Sequence, residues 1–179
     1  MKIELKKIAF YERMSEETNA FTADIYINDV KTGYAKNDGQ GGCTFYHAYQ
    51  GKEQLLKEAE IFAKSLPKTK HEFSGKTYEF DSNLESIIDH MFEQYLTAKE
   101  NAKFAKKREK AYLTSIVFGK PNGTSYRSIG WKQKGITIEF LKATAHGITA
   151  IKNAIASAKK ECGEGDVILN TNLPKEWIE

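Results

Sequence analysis

Apolar and polar residues alternate through much of the first fifty positions, and this alternation predicts β-strands. It covers Lys2–Tyr11, with a change of phase at Lys6–Lys7 that indicates a bulge, and it returns in Phe21–Ile27. Asn28–Asp29 predicts a tight turn, since both residue types tolerate left-handed backbone angles. Two further strands are predicted, at Thr32–Lys36 and Thr44–Ala48.

A helical period then replaces the alternation. In Lys52–Leu66 the apolar residues recur every three to four positions, which places them on one face of a helix. A second helix is predicted to begin at Ser82, because Ser82 and Glu85 have the spacing of a capping box. Its last part, to about residue 111, offers only alanines and Phe104 for burial.

The second half of the chain repeats the order strand, strand, strand, helix. The predicted elements are the strands Tyr112–Phe118, Tyr126–Trp131 and Ile136–Leu141, a helix from Thr144 to about Lys160, and a short strand at Val167–Leu169. The pattern as a whole predicts an α+β fold with antiparallel sheets and three helices. Two βββα units in tandem, joined by the long helix, and one compact domain both fit it. The corresponding division is 1–80, 81–111 and 112–179.

Charge divides the chain more sharply than hydrophobicity does. Residues 1–98 hold 12 basic and 16 acidic side chains, whereas residues 99–179 hold 15 and 8. Within 99–160 the count is 14 basic against 3 acidic. Such asymmetry favours an anionic partner for the second half, although attraction between the two halves would also account for it.

The composition of the chain argues against a membrane-spanning protein and against a secreted, disulfide-stabilised one. No apolar run approaches the roughly 18 residues that a membrane span needs, and the N-terminus lacks the continuous apolar segment of a signal peptide. The two cysteines are too few for a disulfide-stabilised scaffold. We therefore expect a cytoplasmic protein without membrane contact, and the sequence assigns no oligomeric state.

The loop between the third and fourth predicted strands combines glycines with a thiol and an imidazole. Its candidate ligand residues are Asn37, Asp38, Gly39, Gly41, Gly42, Cys43 and His47. Three interpretations stay open: backbone amides that bind phosphate, a thiol active site at Cys43, and a turn whose glycines supply positive φ angles. The spacing matches no standard metal site, so no metal and no cofactor is predicted.

Two separated motifs in this region carry a resemblance. Ser15–Thr18 reads S-E-E-T, and Asn37–Gly42 reads N-D-G-x-G-G. The first third of the chain thereby resembles a group of small, uncharacterised bacterial and phage proteins. The resemblance implies a phage or mobile-element setting and transfers no activity.

The order of three strands and a helix is also similar to that of the arm-binding domains of phage integrases, which read DNA with a sheet face. Residues 83–160 have the element order of double-stranded-RNA-binding domains. The last helix of this stretch, however, lacks the basic cluster at its N-terminus that such domains place on phosphates.

The basic part of the second half supplies candidate contacts to nucleic acid. These candidates are Lys103, Lys106, Lys107, Arg108, Lys110, Arg127, Trp131, Lys132 and Lys134. Cations neutralise phosphates, and aromatic rings stack on bases. The alternative is a solvated helix end whose lysines favour the negative end of the helix dipole.

Taken together, these features predict a binding protein rather than an enzyme. The expected partner is nucleic acid, or another anionic partner, bound through residues 99–134. One alternative is a phage anti-defence inhibitor or decoy that binds a host protein or a small nucleotide. The other is a thiol enzyme that uses Cys43.

Overall fold

The computed structural model describes residues 1–73, 75–133 and 135–179, except for the side chains at positions 69–71 and 73. The chain divides into two compact units, Met1–Thr97 and Ala98–Glu179. The strands are β1 (Ile3–Phe10), β2 (Phe21–Ile27), β3 (Val30–Asn37), β4 (Phe45–Ala48), β5 (Thr69–Phe73), β6 (Lys76–Phe80), β7 (Ser115–Gly119), β8 (Arg127–Gly130) and β9 (Val167–Ile168). The α-helices are α1 (Glu53–Lys64), α2 (Leu84–Tyr112), α3 (Ile138–Lys142), α4 (Ala145–Glu161) and α5 (Lys175–Ile178), and a 3-10 turn lies at Glu12–Met14. The division falls within α2, so the predicted connecting segment 81–111 contributes to both units.

The first unit is built on an antiparallel sheet with the strand order β1-β2-β3-β4. Alternate residues of β2 are buried from Phe21 to Ile27, as the period of two predicts. Lys7 has a φ of 51°, and the β1–β2 register shifts beside it, which confirms the predicted bulge. Asn28 and Asp29 both have positive φ and form the predicted turn between β2 and β3.

Two helical segments bury one face of this sheet. The α1 helix contributes Leu56, Ala59 and Ala63 to the core, because these residues lie on its apolar stripe. The first turns of α2 contribute further apolar residues, and Phe92 stacks on Phe21 with ring centroids 4.0 Å apart. This packing fixes α2 directly beside the loop that follows β3.

The residue that caps α2 is Asn83, one position after the Ser82 of the capping-box prediction. Asn83 Oδ1 accepts a hydrogen bond from the Ser86 amide (2.7 Å), and Ser86 Oγ accepts one from the Asn83 amide (3.1 Å). The Ser82 hydroxyl instead donates to the Pro67 carbonyl. The predicted pairing of Ser82 with Glu85 is therefore wrong, and Glu85 is left available for a tertiary contact.

The second unit has an antiparallel sheet with the strand order β8-β7-β9. The α3 and α4 helices pack on it through a core that contains Ile116, Phe118, Ile151 and Ile155. Thr144 caps α4 as predicted, since its hydroxyl accepts from the Gly147 amide at 3.0 Å. The α+β class with antiparallel sheets is confirmed, and α1, α2 and α4 are the three longer helices of the described chain.

The predicted third strand of the second half, Ile136–Leu141, is wrong. Thr137 caps a short helix there, and Ile138 and Leu141 are the buried pair, while Phe140 is 67% exposed. The buried residues are therefore three positions apart, which is a helical spacing. The alternation of Ile136, Ile138 and Phe140, which predicted a strand, does not match the burial. The second half is accordingly not a βββα unit.

Among the helices of the described residues, none is both long enough and apolar enough to traverse a bilayer.

Candidate functional site

The loop after β3 is organised by the side chain of Asn37, which is 8% exposed. Asn37 Oδ1 accepts hydrogen bonds from the Thr18 hydroxyl and the Gly39 amide, both at 2.9 Å. Its Nδ2 donates to the Gly42 carbonyl (3.1 Å) and to the Thr44 hydroxyl (3.2 Å). An amide side chain with four such partners has used its hydrogen-bonding capacity, so Asn37 closes the loop.

The S-E-E-T and N-D-G-x-G-G motifs meet in space. The Gly39 carbonyl accepts from the consecutive amides of Glu16, Glu17 and Thr18, at 2.9, 3.0 and 3.3 Å. Gly39 has a φ of +86°, and Gly41 has one of +83°. The protein itself also uses the amides of Gly39 and Gly41, which donate to Asn37 Oδ1 and Thr18 Oγ1. Because these amides have internal partners, the geometry favours the turn interpretation over a phosphate cradle.

Cys43 and His47 are both exposed, and they occupy different environments. His47 lies on β4 with its ring 5.7 Å from that of Tyr34. Cys43 is a free thiol in the loop before β4, and no side chain in the described ranges forms a hydrogen bond with it. Of the other histidines in the first unit, His90 pairs with Gln94, and the side chain of His71 lies outside the described residues. Among the side chains described, none is hydrogen-bonded to Cys43 as a general base for thiol catalysis would be.

A cavity of about 220 Å³ lies between this loop and α2, and carboxylates line one side of it. Glu85 Oε1 accepts from the Thr44 amide (3.0 Å), and Asp89 Oδ1 accepts from the Thr44 hydroxyl (2.5 Å). Burial raises the pKa of Asp89 above its ordinary value, and the neighbouring charges of Glu85 and Glu93 add to this rise. Such a lining repels phosphate.

The two remaining candidates from the loop are Asp38 and Gly42, and neither has an environment that indicates a ligand site. Asp38 is exposed and pairs with Lys36 at 2.9 Å. Gly42 has no atom within 4 Å of the position where a side chain would begin. Among the side chains that the structure describes, no group of three or more histidine, cysteine or acidic residues is placed to hold a metal ion.

The basic candidates on α2 form one face of that helix in the second unit. Lys103, Lys106, Lys107 and Lys110, here called the lysine row, are all exposed. With 100° between successive residues, the four lie within about 100° of the helix circumference. No carboxylate among the described residues lies within the 4.0 Å ion-pair limit of any of the four, so their charge is not neutralised locally.

Arg108 lies beside the lysine row and is half-buried. Its guanidinium carbon is 5.8 Å from the centre of the Phe104 ring. Phe104 in turn contacts Tyr126, with ring centroids 5.5 Å apart, and the Tyr126 hydroxyl donates to the Lys107 carbonyl at 3.4 Å. The aromatic pair therefore attaches this part of α2 to the start of β8.

Arg127 differs from the lysine row because it is paired. Its Nη2 donates to Asp166 Oδ2 at 2.6 Å, and its guanidinium carbon lies 4.7 Å from the centre of the Phe118 ring. The Gly163 amide donates to the same carboxylate oxygen at 3.0 Å. These hydrogen bonds, with the charge of Lys120, hold the pKa of Asp166 below its usual range against the opposing effect of burial.

The last three candidates for contacts to nucleic acid are Trp131, Lys132 and Lys134, and their environments differ. Trp131 packs against the core of the second unit, which limits its use as an open stacking surface. Lys132 is exposed beside it. Lys134 lies outside the described residues.

Sequence reasoning missed Lys120 and Asp166 as members of this region. In the sequence, a lysine precedes the Pro121–Gly123 segment, and two hydroxyl residues and a tyrosine follow it. That local concentration of polar residues was the available signal. No sequence signal indicated the contribution of Asp166, because 39 positions separate this residue from Arg127.

Comparison with known proteins assigns this chain to no group. No family model matches it, and neither the curated proteins nor the solved structures contain a significant match.

Proposed function

We propose that this chain is a non-enzymatic binding protein that engages nucleic acid through the lysine row. The observation that carries the proposal is the set of four exposed lysines on one helix face, without a carboxylate partner among the described residues. Unpaired cations on a common face can each release a counterion from a phosphate backbone, which provides affinity without sequence preference.

The charge of the second unit supports a nucleic acid over a neutral partner. Residues 98–179 hold 15 basic and 8 acidic side chains. The long-range field of this unit therefore attracts a polyanion, in addition to any direct contact. The predicted origin in a phage or mobile element rests on the two loop motifs alone and stays a prediction.

The test is fluorescence anisotropy with labelled single- and double-stranded DNA and RNA at a series of salt concentrations. Binding through several phosphates predicts a slope in log Kd against log salt of about 0.7 to 0.9 per contact. The K103E/K106E/K107E variant is expected to bind more than about tenfold more weakly and to show a smaller slope.

The matched control reverses three exposed lysines of the first unit, in a K57E/K64E/K76E variant. Each reversal changes the charge by two, so both triple variants carry the same net charge. Circular dichroism establishes that both remain folded. Normal binding by the K103E/K106E/K107E variant, or an equal loss in both variants, would contradict the proposal.

A further inference from the structure

A polar cleft opens where β7 ends and β8 begins. It has a volume of about 450 Å³, which lies within the range of about 300–1,000 Å³ that small-molecule sites occupy. The lining residues that matter here are Lys120, Thr124, Ser125, Tyr126, Arg127 and Asp166. A volume of this size can hold one nucleotide.

The charge of the cleft is positive even after internal pairing. Asp166 neutralises Arg127, whereas Lys120 has no ion-pair partner within 4.0 Å among the described side chains. The Arg127–Asp166 hydrogen bond uses one of the five N–H donors of the guanidinium and keeps the group in place over Phe118. A fixed guanidinium with remaining donors is suited to phosphate oxygens.

Two neutral donors complete this set. Thr124 and Ser125 line the cleft, and neither hydroxyl forms a hydrogen bond with the part of the protein that is described. Both residues are exposed, so their hydroxyls are accessible to a ligand. Cation, guanidinium and hydroxyl together make a donor-rich surface of the kind that a phosphate group requires.

The cleft adjoins the lysine row through Tyr126. This residue lines the cleft, its hydroxyl donates to the Lys107 carbonyl, and its ring contacts Phe104 from the same helix. A strand whose phosphates lie along the lysine row therefore has the cleft next to its path.

We infer that the cleft receives one unpaired nucleotide of a single strand held on the lysine row, with Lys120, Arg127 and the two hydroxyls on its phosphate. This inference rests on the proposed function and adds the substrate class, which is single-stranded nucleic acid. A phosphate within the strand, a phosphate at its end and a free nucleotide share this chemistry.

The experiment compares a fluorescein-labelled thymidylate strand of about 12 nucleotides with a duplex of the same length. The wild-type protein is expected to prefer the single strand by about tenfold, because a paired nucleotide would first have to leave its stack in the duplex to enter the cleft. The K120Q/S125A variant is expected to lose this preference and to keep its duplex affinity within about twofold, since the lysine row is intact. Both substituted residues are exposed and lack ion-pair partners, so the fold does not depend on them.

A matched S157A/K159Q variant removes one hydroxyl and one charge from the exposed face of α4, and its binding should equal that of the wild type. Strands with and without a 5′-phosphate, and competition by thymidine monophosphate, distinguish the three phosphate sources. The inference is overturned if K120Q/S125A affects single strand and duplex equally, or neither. Absence of any oligonucleotide binding by the wild type would instead mark the failure of the proposed function itself.

Discussion

Two polar regions of this protein differ in what their hydrogen-bonding groups do. In the first unit, the amides of Gly39 and Gly41 and the side-chain amide of Asn37 are hydrogen-bonded within the protein, and carboxylates line the adjoining cavity. In the second unit, the lysine row and Lys120 have no ion-pair partners among the described side chains. A glycine-rich loop is a common feature of ligand sites. The region whose polar groups lack internal partners is nevertheless the better candidate for binding, because a partner can still form hydrogen bonds and ion pairs with those groups.

The strongest effect is expected from a G39A substitution in the first unit. A Cβ atom there would collide with the Met14 carbonyl oxygen, and φ would remain in the left-handed region. We expect a loss of about 2–4 kcal/mol in the free energy of unfolding, measured by urea denaturation.

Gly42 provides the matched control, since its Cβ position is open and its φ is not positive. The G42A variant should remain within about 0.5 kcal/mol of the wild type. Equal stability of G39A and G42A would show that the loop is not held as described. Folded G39A protein should still bind nucleic acid, because its lysine row is unchanged.

A smaller effect is expected from D166N, which removes the negative charge beside Arg127. The added positive charge should strengthen nucleic-acid binding by about threefold at low salt, and the gain should vanish at high salt. An E164Q variant makes the same change of charge at an exposed residue without an ion pair in the described chain. If both variants gain equally, affinity follows net charge and not the cleft.

The same variant has a defined pH dependence of stability. Because the folded-state pKa of Asp166 is lowered, its ionised form stabilises the fold above the unfolded value near 3.8, and this contribution is lost as the pH falls through the folded value. The melting temperature of D166N should therefore lie below that of the wild type at pH 7 and approach it in acid. A constant difference from pH 7 to pH 3 would contradict this assignment.

The smallest effect is expected from D89N in the acidic cavity. The folded-state pKa of Asp89 is raised, which means that folding favours the protonated carboxyl group. This contribution to stability is complete below the unfolded-state pKa near 3.8, and it is lost as the pH rises through the folded-state pKa. D89N should melt slightly higher than the wild type at pH 7, because the substitution removes a partly buried charge and its repulsion from Glu85 and Glu93. Thermal melts at several pH values should show this advantage shrinking toward pH 4, and a growing advantage in acid would refute it.

Local patterns gave much of the fold correctly. Phe21–Ile27 is the strand that its alternation predicts, the bulge lies at Lys7, and Thr144 caps α4. These features depend on residues within one or two turns of each other, which a linear pattern contains. Ile136–Leu141 failed for the same reason, since so short a segment fits both the strand and the helix period until packing selects Ile138 and Leu141.

The candidate site was only partly accessible to such reasoning. The spacing of Lys103, Lys106, Lys107 and Lys110 predicts their common face, and the helix places them there. The sequence indicated neither that Arg127 is paired with Asp166 nor that Trp131 packs into the core. It also gave no sign that Glu85 is directed to the Thr44 amide, 41 positions away.

By itself, the sequence determined the α+β class, most of the longer helices and strands, and the contrast in charge between the two halves. Tertiary structure alone decided which polar groups are satisfied internally and which remain available to a partner. The physical reason is that backbone periodicity is a property of neighbouring residues, whereas hydrogen bonds, ion pairs and clefts join residues far apart along the chain. In this protein, these long-range interactions distinguish the internally bonded loop beside the acidic cavity of the first unit from the accessible basic surface of the second.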